Sequence, residues 1–401
     1  MYIMENIKLK VENIYKVFGK NQQHAMELVN RGLSKDEIFD KTGMTIGVNN
    51  ASFEIKEGEI FVIMGLSGSG KSTLVRLLNR LIEPSSGKIY IDDEDVTKFN
   101  DKELIEIRRK KISMVFQSFA LMPHMNIIDN VSFGLELSGI SKEERYEKAK
   151  QALVQVGLEG HEDSFPDQLS GGMQQRVGLA RALANDPDIL LMDEAFSALD
   201  PLIRNEMQDE LLTLQSEQKR TIVFISHDLD EAIRIGDRIA IMQGGSVVQI
   251  GTPEEIISNP ANDYIKSFFK GVDVTSVLSA SHIARKTNVT IIQKESIGIK
   301  SALQYLSDYD KEYGYYISTD KKYLGILTIE SLKEQQKIAG TVNDALIIQD
   351  SIYEDNTISD FVSVIADSQF PVAIVDENQK YKGTISKSSL LKVFDEGVSH
   401  E

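Results

Sequence analysis

Short apolar runs alternate with helical patterns from the N-terminus to about residue 250. Several of these runs are apolar on both faces and are only a few residues long, which is typical of buried strands. They are EIFVIMG (59–65), KISMVFQ (111–117), DILLMDE (188–194), RTIVFISH (220–227) and RIAIMQGG (238–245). The segment STLVRLLNRL (72–81) instead spaces its apolar residues by three and four, as a helix does. Apolar strands separated by helices predict a parallel α/β sheet that is covered on both faces.

The C-terminal part of the chain contains an internal repeat. TIIQKESI (290–297) returns as LIIQDSIY (346–353), and Gly325 in the first copy corresponds to Gly383 in the second. Each copy reads strand, helix, strand, polar turn, strand, helix, which indicates that one supersecondary unit was duplicated. Two unrelated segments that happen to share this pattern are the alternative.

These patterns predict the domain boundaries. After GTPEEIISNP, a helix within NDYIKSFFKGV is expected to close a first domain, 1–271. The two repeats are then expected at 275–335 and 341–398. Two short helical patterns meet at RGLS and predict a helical hairpin inserted at 21–46. The alternative is a surface hairpin with no role beyond packing.

Composition narrows the class of protein. The chain has 401 residues, no cysteine and a formal net charge of −17. The absence of cysteine excludes disulfides and thiolate zinc sites and fits a reducing cytoplasm. The acidic balance argues against non-specific binding to nucleic acid, which depends on Lys and Arg. No run approaches the roughly 20 apolar residues that cross a bilayer, and MYIMENIKLK lacks the apolar core of a signal peptide. We therefore expect a soluble or peripheral cytosolic protein.

The segment GLSGSGKS matches the phosphate-binding pattern G-x-x-x-x-G-K-[ST], directly after a strand and at the start of a helix. Its glycines allow backbone N–H groups to surround phosphates, and the helix N-terminus adds a partial positive charge. Lys71 is expected to reach the β- and γ-phosphate oxygens, and the Ser72 hydroxyl to face Mg²⁺. The predicted ATP-binding residues of this loop are Gly65, Leu66, Ser67, Gly68, Ser69, Gly70, Lys71, Ser72 and Thr73.

Polar side chains follow other predicted strands, at the edge where open α/β sheets bind ligands. Asp193 is expected to hold Mg²⁺ through water, and Glu194 to polarise the attacking water. His227 could instead be a solvated histidine. Gln117 is a candidate neutral ligand of Mg²⁺ or water. Phe18 could stack on adenine or belong to the core.

The ordered set GLSGSGKS, Gln117, LSGGMQQR (169–176), ILLMDE, SALD (197–200) and His227 resembles the ATPase subunit of an ABC transporter over residues 7–271. The resemblance implies a P-loop α/β domain with a helical subdomain, which hydrolyses ATP with Mg²⁺ as a head-to-tail homodimer. In that dimer, the signature residues of one chain face the ATP that is bound to the other chain: Ser170, Gly171, Gly172 and Gln174.

The resemblance also implies roles for single residues. Phe18 would stack on adenine, Glu194 would be the general base, and His227 would contact the γ-phosphate together with Lys71. Asp200 would be the dimer-contact aspartate of the D-loop, the SALD segment at 197–200. The Mg²⁺ ligands would be Ser72, Gln117 and Asp193.

Over the whole chain the sequence is most similar to the ATPases of glycine betaine/proline (quaternary amine) importers. The features that carry this similarity are the early hairpin, the stretch ALMPHMNIIDNVSFGLE and the C-terminal repeat, which resembles a tandem pair of CBS α/β modules. The resemblance implies a peripheral subunit at the cytoplasmic face of the membrane, osmotically regulated through the CBS pair. Its implied partners are integral permease subunits, fused to or working with a substrate-binding protein, and not nucleic acid. In such importers the carried solute does not contact this subunit, so betaine, carnitine, choline and proline all remain candidate cargoes.

The CBS pair departs from the nucleotide-binding pattern Gly-x-apolar-[Ser/Thr]-x-x-Asp. Thr328 and Ser386 are present, but Ser331 and Ser389 stand where the ribose-binding aspartates are expected. This argues against ordinary AMP or ATP binding and leaves ionic-strength sensing or a cyclic dinucleotide as open alternatives. The sequence leaves two alternative functions. A soluble ABC protein that remodels nucleic acid or ribosomes is disfavoured by the single P-loop and the acidic balance. An importer of another small solute, an amino acid or a metal, with a metabolite-binding tail is the other alternative.

Overall fold

The computed structural model describes residues 6–269, 273, 275, 277–286, 289–293 and 298–398, with residues 394–398 described by their backbone alone. The described chain divides into two compact units. The first runs to Ile256 and includes Pro260–Ile265, and the second comprises Ile257–Asn259 and the residues from Lys266 onward. The predicted domain end at residue 271 lies outside the described residues, as do parts of the predicted range 275–335.

The strands of the first unit form two sheets. Among the described residues they are β1 (Ile7–Phe18), β2 (Thr45–Lys56), β3 (Ile60–Met64), β4 (Ser86–Ile91), β5 (Glu94–Asp95), β6 (Ile112–Phe116), β7 (Ile189–Asp193), β8 (Thr221–Ser226), β9 (Arg238–Gln243) and β10 (Ser246–Gly251). One sheet is antiparallel with the order β2-β1-β4-β5, and the other has the order β10-β9-β3-β8-β7-β6. In the second sheet only β10 runs antiparallel to its neighbour.

Helices follow or separate these strands. They are α1 (Gln22–Asn30), α2 (Lys35–Thr42), α3 (Lys71–Leu78), α4 (Asp101–Lys110), α5 (Ile127–Leu137), α6 (Lys142–Gln155), α7 (Gly171–Leu183), α8 (Pro201–Glu217) and α9 (Leu229–Ile235), with α10 (Pro253–Ser258) and α11 (Asp263–Phe268) at the boundary between the units. Helices α5, α6 and α7 pack against one another. The predicted α/β fold class is confirmed.

The core explains why the strands are apolar on both faces. Every residue of β3, β7 and β8 is buried. On one face, their side chains pack with α3 and with the antiparallel sheet in a single cluster, where the Phe53 and Phe61 rings stack with centroids 5.3 Å apart. A strand that is covered on both faces has no solvent side and therefore needs no polar alternation.

The residues 21–46 form helices α1 and α2 beside the ends of β1 and β2. Ser34 caps α2 through a reciprocal pair of hydrogen bonds with Glu37, a capping box that satisfies two free backbone N–H groups. Ala25 and Ile38, one from each helix, are buried against β1 and β2 in a separate small core. The hairpin is thus anchored at the edge of the antiparallel sheet.

The second unit is built from two copies of one plan. Its elements are α12 (Ala280–Ile283), β11 (Thr290–Ile292), α13 (Ile299–Asp308), β12 (Tyr313–Ile317), β13 (Tyr323–Thr328), α14 (Ile329–Lys337), β14 (Ile352–Tyr353), α15 (Ile358–Asp367), β15 (Val372–Val375), β16 (Tyr381–Ile385) and α16 (Lys387–Val398). The sheets β11-β12-β13 and β14-β15-β16 share their strand order. In each sheet the first pair of strands is parallel and the second antiparallel. The repeat in the sequence is therefore also a repeat of structure.

Candidate nucleotide-binding site

The P-loop joins β3 to α3 in a conformation that requires glycine. Gly65, Gly68 and Gly70 have φ angles of +153°, +78° and +103°. A Cβ atom on Gly70 would lie 2.2 Å from the Gly47 carbonyl oxygen, and one on Gly65 would lie 2.4 Å from the Met242 carbonyl oxygen. Since neither carbonyl can move without displacing its strand, the loop keeps its shape only with bare backbone at these positions. Its backbone leads directly into the N-terminus of α3.

Lys71 is held beneath this loop. Its Nζ donates to the carbonyl oxygens of Gly65, at 2.8 Å, and Leu66, at 3.2 Å, and the residue is 5% exposed. Burial lowers the pKa of Lys71, and the nearby carboxylates, among them Glu194 with an oxygen 3.9 Å away, act in the opposite direction. Ser69 Oγ is also buried and has no hydrogen-bond partner among the described residues. A cation and a free hydroxyl therefore converge on a loop of backbone N–H groups, which suits a polyphosphate.

Asp193 lies at the end of β7 and reaches the P-loop helix. Ser72 Oγ donates to Asp193 Oδ1 at 2.9 Å, and the Arg76 guanidinium approaches Oδ2 at 3.7 Å. A hydroxyl and a carboxylate are the hard oxygen ligands that Mg²⁺ prefers, so this pair fits the ion. No group of three or more His, Cys, Asp or Glu side chains that could hold a metal occurs in the described part of the chain. This also suits Mg²⁺, which keeps water and substrate phosphates among its ligands.

Glu194 and His227 face each other across the ends of β7 and β8. Glu194 has a φ of +49°, an uncommon backbone for a non-glycine residue that directs its side chain away from the path of the strand. One of its carboxylate oxygens lies 3.7 Å from His227 Nδ1. The His227 side chain is more than half exposed, so it is accessible to a bound molecule. The structure thus places a carboxylate between a lysine and a histidine.

Gln117 reaches this group through Ser197. Gln117 Nε2 donates to Ser197 Oγ at 3.1 Å, and Ser197 Oγ donates to the Glu194 carbonyl oxygen at 2.9 Å. The amide oxygen of Gln117 is left for another partner. The ends of β6 and β7 are therefore connected by side-chain hydrogen bonds at the same edge of the sheet.

Phe18 ends β1 beside the P-loop helix. A Cβ atom on Gly47 would lie 2.7 Å from Phe18 Cε2 and 3.2 Å from Thr73 Cγ2, so the ring and the first turn of α3 border the same spot. The ring is 40% exposed, and Lys16 Nζ lies 5.2 Å from its centroid. An exposed aromatic face beside a phosphate loop is suited to stacking on a base.

The signature residues are not joined to the P-loop of their own chain. Ser170 caps α7 by accepting from the Met173 N–H at 3.3 Å, and Gln174 Nε2 donates to nearby carbonyl oxygens. Among the described residues, no hydrogen bond or ion pair connects residues 170–174 with residues 65–73. A Cβ on Gly172 would meet Ile203 at 2.6 Å, so the signature instead lies against the start of α8. There Asp200 caps α8 by accepting from the Ile203 N–H at 3.1 Å.

In the second unit, the two serines that replace the expected aspartates are engaged by their own helices. Ser331 Oγ accepts from the Thr328 N–H at 3.2 Å, and Thr328 Oγ1 accepts from the Ser331 N–H at 2.9 Å. The same reciprocal pair joins Ser386 and Ser389 at the start of α16. Both serines complete a capping box and supply no carboxylate to a ligand.

Tyr315 packs between the two repeats, and the equivalent residue of the second repeat has a much smaller side chain. The register of β12 with β13 and of β15 with β16 makes Tyr315 equivalent to Ala373. Tyr315 is fully buried, and its hydroxyl donates to the Pro371 carbonyl oxygen at 2.6 Å. Burial is the largest cause that raises the pKa of Tyr315 well above the usual range, and this keeps the hydroxyl a donor.

Sequence reasoning did not single out three residues that hold the site together. Arg76 lies near Asp193, Ser197 joins Gln117 to Glu194, and Arg204 contacts both the Leu199 carbonyl oxygen and Asp228. Ser197 belongs to the SALD segment, but the sequence assigned no role to this residue. Nothing in the spacing of Arg76 or Arg204 distinguishes them from arginines on a solvated helix face.

The chain resembles known proteins along its whole length. Residues 48–197 match the family described as ABC transporter. The chain is 58% identical over 400 residues to the glycine betaine/proline betaine transport system ATP-binding protein of Escherichia coli (strain K12), which covers 98% of this chain and 99% of that protein. It is 52% identical over 386 residues to the glycine betaine transport ATP-binding protein of Bacillus subtilis (strain 168), with 96% and 92% covered. A solved dimeric ATP-binding cassette, in a post-hydrolysis state with ADP and Pi, is 35% identical with a TM-score of 0.52 and covers 61% of this chain and 98% of that chain.

Proposed function

This chain belongs to the ATP-binding proteins of ABC transporters, and on that premise we propose that it is the ATP-hydrolysing, energy-coupling subunit of an importer for quaternary-amine osmoprotectants of the glycine betaine type. The observation that carries the proposal is the extent of the similarity. Relatives that are named for glycine betaine transport cover 98% and 96% of this chain, and thus include its C-terminal repeat. This extent of similarity favours the glycine betaine type over an importer for an amino acid or a metal.

At the ATP site, each group has an assigned role in the attack of water on the γ-phosphate. The P-loop backbone and Lys71 bind the phosphates, while Phe18 stacks on the adenine. Glu194 accepts the proton of the attacking water, and His227 orients the γ-phosphate. A bound Mg²⁺ would be held by the Ser72 hydroxyl, the Gln117 amide oxygen and, through water, Asp193, and it would neutralise charge on the phosphate oxygens.

A second copy of the chain completes each site. Ser170 and Gly171 at the start of α7 are exposed, and among the described residues no hydrogen bond joins residues 170–174 to the P-loop of their own chain. We assign Ser170, Gly171, Gly172 and Gln174 to the γ-phosphate of ATP on the partner copy, and Asp200 to the contact between the copies. Helix N-termini favour anions, so this assignment also explains two glycine-rich loops in one chain.

The remaining partners lie in the membrane. No helix in the described ranges combines the length and the apolar character that a bilayer crossing requires. The subunit is therefore assigned to the cytoplasmic face of the membrane as a peripheral protein, bound to integral permease subunits that are fused to or work with a substrate-binding protein. The segment after Gln117, which leads into α5, is assigned as the binding site for a helix of the permease.

The second unit is assigned to regulation by the osmotic state of the cytoplasm. Because Ser331 and Ser389 supply no carboxylate, a ribose would lack its usual partner there. Ionic strength, or a cyclic dinucleotide held between two copies, is the proposed signal. Deletion variants that lack the second unit would distinguish a sensor in this unit from one in the first.

The test is transport by the full chain with its copurifying permease in liposomes. We expect ATP-dependent uptake of labelled glycine betaine that changes with internal salt. The Glu194→Gln variant serves as the control that binds ATP without turnover. ATP hydrolysis without uptake of glycine betaine, carnitine or choline would refute the assigned cargo and leave the ATPase assignment standing.

A further inference from the structure

The D-loop, residues 197–200, is tied at its first residue to the catalytic edge of the sheet. Ser197 accepts from Gln117 Nε2 and donates to the Glu194 carbonyl oxygen, and its N–H also reaches that oxygen at 3.2 Å. A shift of Ser197 would therefore displace both Glu194, the proposed general base, and Gln117, a proposed Mg²⁺ ligand.

At its other end the D-loop is tied to the segment that carries His227. Arg204, in the first turn of α8, donates from one nitrogen to the Leu199 carbonyl oxygen at 3.2 Å. Its other terminal nitrogen contacts Asp228 Oδ2 at 3.1 Å. Arg204 Nε is buried and has no hydrogen-bond partner among the described residues, and the hydrogen bonds of the two terminal nitrogens go to the D-loop and to the residue after His227. A planar guanidinium holds two acceptors in a fixed geometry, which a flexible ammonium would not do.

Asp228 is itself firmly placed. Its Oδ1 caps α9 by accepting from the N–H groups of Asp230, at 3.0 Å, and Glu231, at 3.3 Å. This leaves Oδ2 for Arg204. One carboxylate oxygen thus caps α9, and the other accepts the hydrogen bond from Arg204.

Buried hydrogen bonds of Glu231 stabilise the region around Asp228. Glu231 is 7% exposed and accepts hydrogen bonds from Ser226, the residue before His227, and from Gln208 Nε2 of α8 at 3.1 Å. Burial raises the pKa of Glu231, while these two hydrogen bonds favour its ionised form. Because α8, α9 and the end of β8 are fixed together in this way, the two Arg204 contacts hold the D-loop at a defined position relative to His227.

We propose that Arg204 is a positioning residue that couples the two ATP sites of the dimer. This proposal rests on the proposed function, in which the D-loop of each chain contacts the partner copy. Leu202, which follows the D-loop, is 69% exposed and leaves this corner of the subunit open to such a contact. When the partner docks, it fixes the position of the D-loop, and Arg204 fixes that position relative to Asp228 and hence to His227 on the same chain's own ATP. Each site is then set for hydrolysis only when the other half of the dimer is in place.

The test compares three variants of the full chain with its permease. Arg204→Ala removes both contacts, and Asp228→Asn removes the charge while keeping an equally good helix cap. Arg234→Ala is the matched control. It removes another ion pair between α8 and α9, that of Arg234 with Asp209 at 2.7 Å, without touching the D-loop.

ATP hydrolysis is followed against ATP concentration, and nucleotide binding is measured separately. A misplaced catalytic group can cost about 10²-fold in rate. We expect Arg204→Ala and Asp228→Asn to lower kcat by about 10- to 100-fold and to abolish cooperativity, with ATP binding unchanged. The double variant should be no worse than either single one, because both changes break one link.

Wild-type kcat and cooperativity in Arg204→Ala would overturn the proposal, and so would an equal loss in Arg234→Ala, which would indicate a general loosening of the two helices. The readout is hydrolysis rather than transport. A failure of the proposed cargo would therefore appear in the wild-type uptake assay and would leave this comparison intact.

Discussion

Replacing Glu194 by Gln tests the central assignment, since it removes one charge and leaves the shape of the side chain. Glu194 occupies a left-handed backbone position, with φ of +49°. Gln has the same Cβ and the same length, so the backbone strain does not change. The variant therefore separates the chemistry of the carboxylate from its packing.

The geometry predicts that the substitution lowers the rate of hydrolysis and raises the affinity for ATP. Loss of a general base costs about 10²–10⁴ in rate, or about 3–5 kcal/mol of transition-state stabilisation. The carboxylate also lies 3.9 Å from Lys71 Nζ. At that distance the attraction between unit charges is about 4 kcal/mol for an effective dielectric constant near 20. ATP phosphates must compete with this attraction for the same ammonium. If about 1.4 kcal/mol of it is released, ATP binds about tenfold more tightly.

The assay measures kcat of the full chain and its equilibrium affinity for ATP under the same conditions. We expect Glu194→Gln to lose 10²–10⁴ in kcat while its ATP affinity stays equal or rises by up to about tenfold. Glu194→Asp is the matched control, because it keeps the charge and withdraws the carboxylate. It should lose kcat without the gain in affinity. A wild-type kcat in the Gln variant, or a loss of ATP binding in it, would refute the assignment.

Three further predictions concern single side chains. Lys71→Ala removes the ammonium beneath the P-loop, and since charged hydrogen bonds contribute about 1.5–3 kcal/mol each, equilibrium dialysis should show ATP affinity lowered by about 10-fold or more. Gly70→Ala places a Cβ 2.2 Å from a carbonyl oxygen and should abolish ATP binding, whereas Gly68→Ala, with a φ of +78° but no atom within 4 Å of its Cβ, adds backbone strain alone and should weaken binding much less. Tyr315→Phe removes the donor to Pro371 and should cost about 1–3 kcal/mol in denaturant unfolding of the second unit, and Tyr315→Ala about 3–5 kcal/mol. An unchanged unfolding midpoint in Tyr315→Ala would contradict the assigned packing between the repeats.

Local chemistry made the P-loop and the fold class predictable. Three glycines, a lysine and a serine at fixed spacing between an apolar strand and a helix admit few other conformations. The structure shows why, because Gly65 and Gly70 pass within contact of carbonyl oxygens that no side chain could clear. Likewise, strands without polar alternation can only be covered on both faces, and together with the helices between them this indicated the parallel sheet.

The antiparallel sheet of β1, β2, β4 and β5 did not emerge from the pattern of apolar positions. Its strands alternate buried and exposed residues irregularly, and the register shifts several times between β1 and β2. Such bulges interrupt the period of two on which strand prediction depends. Phe18 could therefore be proposed for stacking, but its place beside Thr73 could not be anticipated.

The residue pattern alone was enough to identify strands that are apolar on both faces, the phosphate loop and the duplication of the C-terminal part, because each of these can be recognised from the order of residue types along the chain. Which strand ends meet is visible only in the folded chain. Strand β8 separates β3 from β7 in the sheet, yet Ser72 and Asp193 come within 2.9 Å across 121 residues of chain. Arg204 likewise joins the D-loop to Asp228, a contact that no periodicity encodes. Strand order and contacts between helices are set by packing among distant segments, and hydrophobic pattern constrains the face that a residue occupies but not the neighbour that it meets.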